Sequence, residues 1–167
     1  QRVQLRERSI HRRRLFGRSS DPVALALNNL ATTRELQGRP AAAARLYGAS
    51  LEILRKVLPP EDVGLAYGAM NTGALLLMSN GADKVEPLLK EALDIWETTL
   101  ADYPDHPERR SAADWLISCL LVRARAGENR GLREAQAKEL CKRYGLDFDE
   151  RQERSKQYPY TPDKTAT

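Results

Sequence analysis

The chain has 167 residues, 41% hydrophobic, 30% charged and only 6% aromatic, with a formal net charge of +4. This is the composition of one helical domain or a short repeat array, long enough to bury most of its apolar surface. The longest apolar run, Gly73 to Met78, is far short of the roughly 20 residues that cross a bilayer, so no membrane insertion is expected.

The first segment, residues 1–20, holds seven Arg and one Glu, which leaves the rest of the chain slightly acidic, at −2. It has no Pro or Gly before Gly17, and SIHRRRLFG reads against LEILRKVLP near residue 55, so it predicts the second helix of a preceding unit. Arg8, Arg12, Arg13 and Arg14 form a candidate basic docking patch. Phosphate binding there would be steeply salt-dependent, but no aromatic side chains are interleaved for base stacking, so nucleic acid is the lesser reading. The Arg-rich, acid-poor start makes the mitochondrion the alternative to a cytoplasmic location.

Asp21 before Pro22 is a helix start, an N-cap followed by proline at the first helical position. The helix predicted from it runs to Gln37 and stops at Gly38; Pro40 opens a second, which Pro59-Pro60 must end. These make a first unit, 21–60. Glu61-Asp62 opens a second, 61–104, with Asn80-Gly81 as its inner turn, Asp83 as the cap of the next helix and Pro87 within that helix's first turn or so. A degenerate third, 105–145, starts near Asp105-His106-Pro107, turns at Gly127 and ends in a capping helix, Leu132 to Tyr144. Residues 146–167, polar and carrying Pro159 and Pro162, predict an extended or disordered tail, and Tyr158-Pro159-Tyr160 could lie in the protein's own groove or a partner's.

The first two units are versions of one pattern. Asn28 recurs as Asn71 and Gly38 as Gly81, 43 residues apart, while Ser50 recurs as Ala92 and Ile53 as Ile95, 42 apart. Such a period is the signature of a solenoid, in which each unit buries its apolar face only against the next. The small residues Ala24, Ala31, Ala43 and Ser50, matched by Gly73, Ala74, Val85 and Ala92, stand where paired helices approach closely. The fold class expected is therefore all-α: a right-handed α-α superhelix of three antiparallel helix pairs plus a capping helix.

The run Asp21-Pro22-Val23-Ala24, Leu27-Asn28-Asn29-Leu30-Ala31, Gln37-Gly38-Arg39, Ala43, Leu46-Tyr47 and Leu51 to Ile53, with Val85 to Ile95 in the second unit, resembles the tetratricopeptide repeats of the long-helix kind found in kinesin light chains. The resemblance spans residues 8–127 and departs at Arg34, where an aromatic is usual, and at Gly73, where the first unit has Leu30. It implies a non-enzymatic adaptor or scaffold that holds a peptide or helix of a partner in the groove lined by the first helix of each pair.

On that reading Asn28, Thr32 and Glu35 share one stripe of the first helix, followed by Asn71, Leu75 and Met78 in unit two and Ile117, Leu121 and Ala124 in unit three. The groove should run from polar to apolar, the asparagines serving an extended peptide backbone, although the apolar stripe also reads as core facing the capping helix. Asparagine is a poor mid-helix residue, so its appearance at two equivalent sites points to use. The chaperone-type clamp for a terminal carboxylate is not expected, because Thr32, Thr72, Asp114 and Ser118 stand where its basic cage would be completed. The alternative function is that of a structural subunit docking into a mitochondrial or ribonucleoprotein assembly through its basic first helix and tail.

Catalysis has little support. His11 and His106 belong to no metalloprotease or nucleophile pattern, and no phosphate-cradling glycine loop occurs, so no catalytic residue, cofactor or metal is expected. Trp96 and Trp115 read as staples between units; Cys119 and Cys141 read as small buried packers, without zinc-site spacing and suited to a reducing compartment.

Overall fold

The computed structural model describes residues 21–79 and 84–160. Among these it holds seven helices and no strand: α1 (Pro22–Leu36), α2 (Pro40–Val57), α3 (Val63–Met78), α4 (Val85–Thr99), α5 (Pro107–Arg125), α6 (Arg130–Tyr144) and α7 (Phe148–Ser155). Each of the first five packs on the next, which makes an all-α solenoid of helix pairs. The basic segment 1–20, the Asn80-Gly81 turn and Asp83 lie outside the described residues.

The helix starts follow from cap chemistry. Asp21 accepts hydrogen bonds from the backbone N–H groups of Val23 and Ala24 at 2.8 and 3.1 Å, and Asp62 accepts from that of Gly64 at 2.7 Å. His106 caps α5 through Nδ1, which accepts from the Glu108 N–H at 3.3 Å ahead of Pro107. Each cap satisfies a donor that the first helical turn leaves unpaired.

The core is centred on α3. This helix is buried continuously from Gly64 to Met70 and from Thr72 to Leu75, because α2 lies on one flank, α4 on another and part of α5 beyond. A helix enclosed this way is apolar all round rather than striped. Two glycines set its spacing: a Cβ at Gly68 would lie 3.0 Å from Leu51 Cδ1, and one at Gly73 would lie 3.0 Å from Leu89 Cδ2 and Cγ. Leu51 and Leu89 therefore press directly onto the α3 backbone. Trp96 of α4 meets Tyr67 of α3 edge to face, with ring centroids 4.7 Å apart. The Tyr67 hydroxyl goes on to donate to Glu108 of α5 at 2.9 Å, so one aromatic pair ties three helices.

The structure departs from the sequence-based expectation at the C-terminal end. The segment predicted as a capping helix, Leu132 to Tyr144, lies within α6, which packs broadly on α5 as the second helix of a third pair. α5 is longer than α1 and α3, 19 residues against 15 and 16, and the turn after it holds Gly127 and Asn129 at φ of 92° and 46°. The predicted tail from residue 146 is a helix over Phe148–Ser155. The Asp147 side chain caps it by accepting from the Glu150 N–H at 2.7 Å, and Tyr158 beyond it is buried.

Candidate functional site

The first helices of units one and two, α1 and α3, carry the polar part of the expected groove. Asn28 is 6% exposed, Thr32, Glu35 and Asn71 are half-buried, and Met78 is exposed. Tyr47 of α2 supports this face from beneath: its hydroxyl is 2.8 Å from Thr32 Oγ1 and 3.5 Å from Glu35 Oε2. Thr32 in turn donates to the Asn28 carbonyl at 3.0 Å. The second helix thus holds the polar stripe of the first.

The two asparagines share a further property. The amide nitrogens of Asn28 and Asn71 are both enclosed, and neither has a hydrogen-bond acceptor. A buried donor without a partner costs about 1–3 kcal/mol. That cost occurs twice, at equivalent positions of two repeats.

The expected apolar end of the groove does not exist as an open surface. Ile117 and Leu121 are 0% and 3% exposed, core residues of α5, and Ala124 is buried with them. Leu75 is also buried, in a small cluster with Ala31, Ala43, Ala44 and Tyr47 that joins unit one to unit two. The apolar stripe is core, the simpler of the two readings that periodicity allows. On α1 the opposite occurs: Val23 and Leu30, on the side away from Asn28, are 57% and 42% exposed.

In unit three the outward face of α5 is polar, and the chain itself covers it. Asp114 accepts from Arg151 Nε at 2.9 Å and from Arg154 at 2.8 Å, and Arg154 also donates to Ser118 Oγ at 3.1 Å. Arg125 donates to the carbonyls of Ser155 and Tyr158 at 3.3 and 2.8 Å, the Tyr158 ring lies 6.0 Å from that of Trp115, and the Tyr160 hydroxyl pairs with Glu128. Trp115 is thus packed against this C-terminal segment, and Asp114 and Ser118 are both engaged by it. Sequence reasoning missed α7, although Asp147 and Glu150 have the spacing of a capping box and Gly145 precedes them as a helix stop.

A second ionic cluster locks the α5–α6 turn to α4. Glu86 accepts from Lys90, Arg123 and Arg133 at 2.7, 2.8 and 2.6 Å, and Arg123 also reaches Glu128 at 2.6 Å. Burial opposes ionisation of Glu86, but hydrogen bonds from Lys90 and Arg133 and the charge of Arg133 outweigh it, holding the carboxyl below the usual range. Glu128 is lowered in the same way, with Tyr160 and Arg123 as its donors. Cys119, beside this cluster, has its thiol pushed up to about 12, by burial first and by the charge of Glu86 second. It is protonated at neutral pH and is a packing residue, as is the buried Cys141.

A cleft of about 560 Å³ opens between α2 and α4, floored by Leu58, Leu65 and Ile95. It contains none of the groove residues, and Arg55 bridges its two helices by donating to both carboxylate oxygens of Glu91. No helix among the described residues is long and apolar enough to cross a membrane.

Residues 22–98 match the family model for the tetratricopeptide repeat. No curated protein matches the chain. The matched span covers α1 to α4 nearly in full, the two helix pairs whose 42- to 43-residue repeat was legible in the sequence. These two pairs are thus similar to tetratricopeptide repeats, and the likeness is to this part of the chain.

Proposed function

We propose that this chain is a non-catalytic interaction module that binds an extended segment of a protein partner across α1 and α3, with Asn28 and Asn71 as the backbone-reading residues. Repeats of this family generally mediate protein–protein interaction. The observation that carries the reading is the pair of equivalent amide nitrogens without acceptors. An extended peptide presents carbonyl groups along its length, and turning each carboxamide about χ2, a soft two-fold torsion, directs its donor outward. Thr32, Glu35 and Met78 border the same stripe and would contact side chains of the bound segment.

The groove so defined is short. It spans units one and two and stops where α7 covers unit three, so it suits a segment a few residues long. Without the basic cage of the chaperone-binding repeats, such a segment is read along its backbone rather than at its carboxyl terminus.

The test is selection from a displayed library of random peptides, followed by titration against the Asn28→Leu/Asn71→Leu chain. The selected peptides should bind the double variant at least about tenfold more weakly, the loss expected when two hydrogen bonds to buried groups disappear. Unchanged affinity in a folded double variant would remove the groove assignment.

A further inference from the structure

We propose that the outward face of α5 is a second peptide-recognition face, selective for a helix carrying two arginines one turn apart followed by tyrosine, and that α7 with Tyr158 and Tyr160 is its exchangeable occupant rather than a fixed cap. The idea extends the groove reading to unit three but does not depend on what α1 and α3 bind.

Four observations support it. First, α7 is placed unlike the earlier helices. Where α3 packs broadly on α2 and α5 on α4, α7 packs on α5 and only marginally on α6. It therefore does not continue the stack; it lies along the open side of one first helix.

Second, its contacts are those of a bound peptide. Asp114 receives both Arg151 and Arg154, and Arg125 donates to two main-chain carbonyls, of Ser155 and Tyr158. Paired charges select the side chains while main-chain bonds hold the backbone, as in peptide complexes. The ring of Tyr158 on Trp115 supplies an aromatic anchor.

Third, the helix itself buries little, although Phe148 at its start packs partly on the core beneath Lys138. FDERQERS is an eight-residue helix in which only Ser155 is buried. A helix of that length is not stable alone in water, so it exists because it is docked. Arg154 Nε is enclosed without an acceptor, so the docked fit leaves one donor unsatisfied.

Fourth, a hinge precedes it. Gly145 has φ of 60°, in the left-handed region, and ends α6 two residues before the Asp147 cap. The strap can leave α5 by changing backbone angles just beyond this turn, while the buried Leu146, bonded back to Cys141, stays with α6.

The experiment uses the full chain. Hydrogen exchange of the unaltered protein should show α7 amides exchanging through local opening, at least about a hundredfold faster than the α3 and α5 core. Exchange of α7 only through global unfolding would overturn the proposal. In the Arg151→Glu/Arg154→Glu chain the strap should be released, with red-shifted Trp115 emission and unchanged protection of α3 and α5. A synthetic peptide of residues 147–160, titrated by that emission, should then occupy the vacated face. It should bind the unaltered chain at least about tenfold more weakly, because the tethered strap competes at an effective concentration on the order of millimolar. The same peptide with both arginines replaced by glutamate should not bind. Unfolding of the double variant as a whole, or a released face that ignores the unsubstituted peptide, would show instead that α7 is a structural cap.

Discussion

α1 and α3 are versions of one sequence pattern placed in different surroundings. α1 contacts protein mainly through Ala24, Asn28 and Ala31, and leaves Val23, Leu30 and Leu36 exposed; α3 is enclosed on nearly every side. What a repeat position contributes is therefore set by its place in the stack as much as by the residue it carries. The position that is Leu30 in α1 is Gly73 in α3, because at that point Leu89 occupies the space a side chain would need.

The largest expected effect comes from the enclosed helix. Leu89→Ala removes a fully buried side chain packed on Gly73 and should lower stability by about 3 kcal/mol, read from the urea midpoint at unchanged slope. Gly73→Leu, which gives unit two the residue of unit one, should cost about 2 kcal/mol by forcing Leu89 and the α3–α4 spacing apart. If that change were neutral, the close approach of the two helices would not be what fixes their spacing.

The ionic cluster beyond them should give an intermediate effect with a signature in pH. Glu86 and Glu128 are held below the ordinary carboxylate range, so they stabilise the fold above about pH 4.3, where the unfolded carboxyls are also ionised. That contribution is lost as pH falls below this value, because the unfolded chain takes up protons first. Glu86→Gln should cost about 1–2 kcal/mol at pH 7 and flatten the acid limb of the stability profile. A profile of unaltered slope would mean that the cluster does not persist in solution.

The smallest effect belongs to the exposed side of α1. Leu30→Ala should change stability by no more than about 0.5 kcal/mol, since the side chain is 42% exposed. A cost several times larger would mean that Leu30 is covered in solution.

The repeat pairs were legible because their determinants are local. Asp21 and Asp62 cap the helices that start at the next residue, Pro40 and Pro59 bracket α2, and a 42- to 43-residue period relates the first two units. Of the stripes expected to line a groove, the apolar one on α5 proved to be core. Periodicity places Asn28, Thr32, Ile117 and Leu121 on matching faces, but cannot say which faces a later segment will cover. α7 itself carried a readable start, Asp147 with Glu150, which its polar composition and flanking prolines outweighed. It gains its stability from Asp114, Arg125 and Trp115, through contacts that span 30 to 43 positions of the chain.

By itself, then, the sequence determined a helical repeat, its phase and its caps, since propensity, capping and apolar spacing act over one or two turns. Tertiary structure decided which equivalent faces stay open and which are filled. That choice rests on ion pairs and contacts between segments far apart in the chain, and no local pattern encodes them.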